Sequence, residues 1–161
     1  MQANPYAKYL DGREPLAIIQ STEERLKTIT DRLGRARWET EPAPGKWSAR
    51  DILAHLADTE LVFAFRLRQS IAEDHHTIQP FDQDKWAATY TNYDLTSALA
   101  VFGAVRDWNI RFIRDLPRAS LSKRLTHPER GEMDFATLIE TMAGHDLNHI
   151  AQLERILGEP A

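Results

Sequence analysis

Residues 134–157 read DFATLIETMAGHDLNHIAQLERIL, and their apolar positions recur with the period of an α-helix. Asp134 is placed to cap its first turn, and Gly158 and Pro160 stop it after Leu157. Met142, His149, Leu153 and Ile156 fall on one stripe, with His145 beside it. Three more segments carry the same period. The first follows Pro15, a favourable first helical residue, and runs to Leu33 with Leu16, Ile19, Leu26, Ile29 and Leu33 on one face. Gly34 and Glu41-Pro42-Ala43-Pro44-Gly45 end it. The second opens at Trp47-Ser48-Ala49-Arg50-Asp51, where Ser48 and Asp51 have the spacing of a capping box, and its core stripe is Ile52, Leu56, Phe63 and Leu67. The third is capped by Asp94 and runs to Leu116, with Ala98, Phe102, Val105, Asn109, Phe112 and Leu116 inward and Pro117 closing it.

The longest break is 72–93. Asp74, His75, His76, Pro80 and Asp82 make it polar, while Phe81, Trp86, Tyr90 and Tyr93 imply that it packs back, with a short helical turn over Asp84–Tyr90. A further loop holds Pro128 and Gly131. No segment alternates with period two for long enough to predict a strand. Four helices of about 20 residues with apolar stripes pack most simply as a four-helix bundle. The expected fold is therefore all-α, a single domain over 1–161, with a long connection between its second and third helices.

Composition narrows the functional classes. The chain has 161 residues and no cysteine, which excludes a disulfide framework, a thiolate metal site and a cysteine nucleophile. Twenty basic residues stand against 24 acidic, a net charge of −4, without the basic face of a nucleic-acid binder. The longest apolar run, Leu61–Phe65, is far short of the ~18 residues that span a bilayer. With no leader-like N-terminus, the expectation is a cytoplasmic protein that acts on a small molecule, with neither nucleic acid nor membrane as partner.

His145 and His149, at i and i+4, stack on one helix face and can reach the same ion. His55, flanked by core positions in the second helix, leans inward as well. Three converging neutral nitrogens would make an open divalent site, with positions left for water or substrate. The alternative is that these histidines are packing residues. His145-Asp146-Leu147-Asn148-His149 also has the outline of HExxH, but Asp is a methylene shorter than Glu and few residues remain for a third ligand downstream. Glu73-Asp74-His75-His76 holds a single Glu-x-x-His where di-iron bundles use two.

Trp47-Ser48-Ala49-Arg50-Asp51-Ile52-Leu53-Ala54-His55-Leu56-Ala57-Asp58 and Ala143-Gly144-His145-Asp146-Leu147-Asn148-His149-Ile150-Ala151-Gln152 together resemble the DinB/YfiT-like superfamily, over about residues 8–158. Phe81-Asp82-Gln83-Asp84-Lys85-Trp86 agrees in order. The resemblance implies a four-helix bundle with a divalent metal, zinc or nickel, held by three histidines: here His55, His145 and His149. It also implies a homodimer. For activity it implies transfer of a low-molecular-weight thiol (bacillithiol, mycothiol or glutathione) to an electrophile. The alternatives are hydrolysis by metal-activated water and a non-catalytic, stress-associated metal-binding bundle.

Among the remaining polar residues, Asp58 is the candidate for handling a proton, with Glu60 and Gln152 as further neighbours of the ligands. Asp146 reads as a solvent-side group or one orienting a ligand, His75 and His76 as solvated near a helix end, and His127 as a loop residue. Trp47, Phe63, Trp86 and Trp108 read as core anchors. Arg50, Arg66 and Arg68 are either cosubstrate contacts or a solvated face.

Overall fold

Each long helix starts where a side chain accepts from the free N–H groups of its first turn. In the computed structural model, which describes residues 4–158, Glu14 accepts from the Ala17 amide and Pro15 opens α2 (Pro15–Leu33). A complete capping box between Ser48 and Asp51 opens α3 (Ala49–Ala72). The Asp94 carboxylate accepts from Ser97 N–H to start α5 (Leu95–Arg114), and Asp134 does the same with Thr137 for α6 (Phe135–Leu157). Gly158, at φ 97°, provides the left-handed residue that ends α6. Pro160, also expected to stop this helix, lies outside the described residues.

These four helices form the bundle. α3 packs on α5 and α6, and α2 packs on the same two, so α2 and α3, consecutive among the long helices, occupy opposite corners. The core is in two parts. One gathers Ile19, Phe63, Leu67, Ile113, Leu138 and Met142; the other gathers Leu26, Leu53, Leu56, Phe102, Ile150 and Leu153. Between them in register lies a buried polar layer of Thr22, Glu60, Arg106, Asn109 and Asp146, with at least one residue from every corner.

The third helix turns its expected face only in part. Ala98, Phe102 and Asn109 are buried, Val105, Phe112 and Leu116 are half-buried, and the helix ends two residues before Leu116. Trp108, expected to anchor the core, is 65% exposed, because the stripe Phe102–Arg106–Asn109–Ile113 turns it to the opposite side. Trp86 is exposed on α4 (Gln83–Ala87), whereas Phe63 is buried as expected. A short helix, α1 (Ala7–Leu10), lies against α6.

A small sheet corrects the expectation of no strand. β1 (His76–Thr77) runs parallel to β2 (Arg124–His127), which pairs antiparallel with β3 (Gly131–Asp134) in the register Leu125↔Met133 and His127↔Gly131. Pro128 sits at the second position of a turn closed by Arg130 N–H on the His127 carbonyl, and Gly131 takes φ 82°. That is the backbone a three-residue hairpin loop requires. Four-residue strands with one buried apolar residue each, Leu125 and Met133, carry too little alternation to be read from pattern.

Candidate metal centre

α3 presents His55 and α6 presents His145 and His149 to one point in the groove between them. The rings are 4.5–5.1 Å apart between centroids. One nitrogen from each can be chosen so that all three lie within 4.8 Å of one another, and His55 Nε2 is 3.0 Å from His145 Nε2. All three side chains are buried, at 1%, 5% and 5% exposure. Burial, helped by His149, pushes His55 down to about 3. Burial brings His149 to about 4 against the opposing bond from Gln152, and holds His145 well below the usual imidazole range. At neutral pH the cluster is uncharged.

Two of the three outer nitrogens have partners. His149 Nδ1 donates to Gln152 Oε1 at 3.3 Å, which places its proton there and leaves Nε2 free for the cluster. His55 Nδ1 meets the Tyr90 hydroxyl at 3.2 Å. Trp47 covers the rings of His55 and His149, at 4.9 and 6.3 Å, while Tyr6 and Phe63 stand edge-on to His145 at 5.3 and 6.1 Å. Three neutral imidazoles turned inward cannot satisfy one another, since a nitrogen pair shares at most one proton. Nitrogens bound at ~2.1 Å to a tetrahedral ion lie about 3.4 Å apart, so the cluster fits a borderline-soft divalent cation with little movement.

The carboxylates sort differently from their sequence reading. Glu60 and Asp146 are both buried and bind Arg106, whose five N–H donors are all used: two on Glu60 (3.0 and 2.8 Å), two on Asp146 (2.6 and 3.1 Å) and one on the Ile19 carbonyl (3.0 Å). Burial opposes the guanidinium charge, yet Asp146 and Glu60 together raise its pKa. Thr22 donates to Asp146, and Asn109 to Glu60. Asp146 is thus a buried tie between helices and not a solvent-side group, because its position on α6 turns it away from the histidines into the bundle. Asp58 is half-buried with its carboxyl raised by burial, bonds none of the three histidines, and acts electrostatically on Tyr90. Arg50 pairs with Asp51 and Glu39, and Arg68 bonds Asn109, so neither is a free contact for a ligand.

His76, read as solvated, and His127, read as a loop residue, are both buried on strands. His76 sits on β1 with Nδ1 2.6 Å from Glu73, and His127 sits on β2; His75 is exposed at φ 53°. The residues missed from sequence are Arg106, Tyr6 and Tyr90 as neighbours of the centre. Arg106 had a readable signal, a cation three residues before Asn109 on the inward stripe. Tyr6 had none, since it arrives from the far end of the chain.

A family profile described as "DinB superfamily" matches residues 18–153. Among curated relatives, a protein of Oceanobacillus iheyensis named "Putative metal-dependent hydrolase" is 27% identical, over 84% of this chain and 79% of its own. Another from the same organism, with the same description, is 24% identical over 89% and 84%. A Bacillus cereus protein so described is 26% identical over 81% and 75%. Among solved structures, the fold matches that of YfiT from Bacillus subtilis, described as "a probable metal-dependent hydrolase with an unusual four-helix bundle topology". The TM-score is 0.80, with 20% identity and 91% and 87% of the two chains covered.

Proposed function

The chain belongs to the DinB superfamily, and from that premise we propose that it is a metal-dependent enzyme whose His55, His145 and His149 hold a divalent ion, zinc or nickel, and which transfers a low-molecular-weight thiol to an electrophilic small molecule. The observation that carries this reading is the convergence of three buried, neutral imidazoles, two of which turn their outer nitrogen to a partner elsewhere. A divalent ion bound there would supply Lewis acidity, favouring the deprotonated form of a thiol or water that it contacts.

The chain's own residues do the rest. Gln152 and Tyr90 orient the imidazoles of His149 and His55, and Trp47 and Phe63 exclude water from the flanks of the cluster. Of the carboxylates on α3, Asp51 pairs with Arg50 and Glu60 with Arg106, which leaves Asp58 to take up a proton at its carboxylate oxygen. A chain without cysteine would take its sulfur nucleophile from solution, consistent with a separate thiol cosubstrate. Hydrolysis is the second reading, favoured by the description shared by the three relatives.

Protein reconstituted with zinc or nickel separates the two. We expect it to join bacillithiol, mycothiol or glutathione to a small electrophile faster than the uncatalysed reaction, and His55→Ala to abolish this with the helix content retained. Ester or amide cleavage without any thiol requirement would establish hydrolysis instead. Neither activity in metal-loaded protein would leave a metal-binding bundle.

A further inference from the structure

Beside His145 the chain gathers positive groups that the histidine cluster does not use. Arg66, on α3, donates Nη2–H to the Gln79 carbonyl at 3.1 Å and lies over the Phe81 ring at 5.7 Å, yet its Nε is buried without a partner. It also lines a cavity of about 300 Å³ with Leu61, Phe65, Phe81 and Trp86. Arg130 sits at the tip of the β2–β3 hairpin, held there by the turn on His127. Thr77 pairs with Thr126 and Ile78 N–H donates to the Thr126 carbonyl, so Gln79, whose carbonyl Arg66 bonds, runs beside His127. Phe63, one turn before Arg66 on α3, stands edge-on to His145 at 6.1 Å. The charge of Arg130 is felt at both Arg66 and His127. His127 Nδ1 accepts from the Glu129 amide at 3.2 Å, so the neutral ring carries its proton on Nε2 as a donor.

Among the described residues neither Arg66 nor Arg130 forms an ion pair with a carboxylate, and Glu129 is the acid whose charge acts on Arg66. Burial, then Arg130, brings Arg66 down to about 10, and burial, Arg130 and Arg66 lower His127, with Glu129 opposing the shift at both. Two guanidinium groups brought together repel one another, and an oxyanion would relieve that repulsion while pairing the orphaned Nε–H.

We propose that Arg66, Arg130 and His127 form a seat for an oxyanion of the substrate or cosubstrate, a carboxylate or a phosphate, next to His145. Arg66 approaches the anion from α3 and Arg130 from the hairpin, with His127 Nε2–H as a third donor. The hairpin thereby acquires a function that the helices alone lack: it brings a second guanidinium to the mouth of the groove. The role of the seat in turnover rests on the reading of the three histidines as the reactive centre. The presence of the seat does not, because its donors lie outside the cluster.

Titration of metal-free protein with inorganic phosphate and, separately, with succinate, followed by calorimetry and by imidazole NMR of His127, tests the seat directly. We expect saturable binding of at least one anion in the millimolar range, with the stronger one identifying the class. Arg130→Gln should weaken it about tenfold, as loss of one charge-assisted pair does. Arg66→Lys keeps charge and fold but loses the fork, and should weaken binding less than Arg66→Gln. Metal content of the Arg130→Gln protein should equal that of wild type. Absence of binding by either anion overturns the seat, as does binding unchanged in Arg130→Gln and Arg66→Gln. So does binding lost only when Lys46 and Arg155, the cations of a separate cavity behind Trp47 and Gln152, are replaced. A wild-type protein that binds anion but no metal would sink the functional reading and leave the seat standing.

Discussion

His55 and His149, held mainly by burial to about 3 and about 4, titrate far below the unfolded value of ~6.5. As pH falls below ~6.5 the unfolded chain takes up protons that the metal-free folded chain refuses until about pH 4, so the unfolded state gains. Their contribution to stability is therefore complete above ~6.5 and lost on acidification. Between about pH 7.5 and about pH 5 the two sites together should remove about 2–4 kcal/mol. Urea midpoints of metal-free protein should show that drop, and a His55→Ala, His149→Ala double variant should show a flatter profile; an equal drop in the variant would place the effect elsewhere. At this scale the sequence was informative where spacing was local. The i,i+4 pair His145 and His149 is visible without a fold, and the inward lean of His55 follows from its core neighbours. Asp146 and His127 were misread because the partners that bury them, Arg106 and the hairpin, come from distant segments.

Elements are tied together by the polar layer. Arg106 on α5 holds Glu60 on α3 and Asp146 on α6, one residue from His145, and so sets the groove across which His55 meets its partners. Arg106→Leu would leave two carboxylates buried without their cation and should destabilise the protein by about 3–5 kcal/mol. Chemical denaturation checks this, and a loss under 1 kcal/mol would mean that water or repacking replaces the guanidinium. The two helical glycines near the layer predict opposite results. A Cβ on Gly103 would meet the flexible end of Glu23, at 2.6 Å, which can swing away. One on Gly144 would meet the Tyr6 backbone carbonyl and Cβ at 2.7 Å. Gly103→Ala should then be neutral or stabilising by up to ~1 kcal/mol, as alanine favours helix. Gly144→Ala should cost about 1–3 kcal/mol and move the Tyr6 ring from His145. Thermal melts of the pair, with the Tyr6–His145 contact followed by NMR, decide it. Helix boundaries were legible because caps are local chemistry: Pro15, Ser48, Asp94 and Asp134 each mark a start. The diagonal placement of α2 and α3 was not, since amphipathic stripes say which face is buried and not which neighbour covers it.

At the scale of the whole molecule, two apolar clusters separated by a charged layer place the three histidines in a groove walled by Trp47, Tyr90 and Tyr6, from three separate segments. An ion held there would join α3 to α6, so its removal should weaken the folded state by mass action. Chelator treatment should lower the melting temperature of wild type and leave that of the triple histidine variant unchanged. The measurement closest to the central claim is elemental analysis of untagged protein beside the His55→Ala, His145→Ala, His149→Ala variant. The account predicts about one divalent ion per chain in wild type and none in the folded variant. No ion in wild type after incubation with zinc and nickel, or an ion retained by the variant, would contradict it.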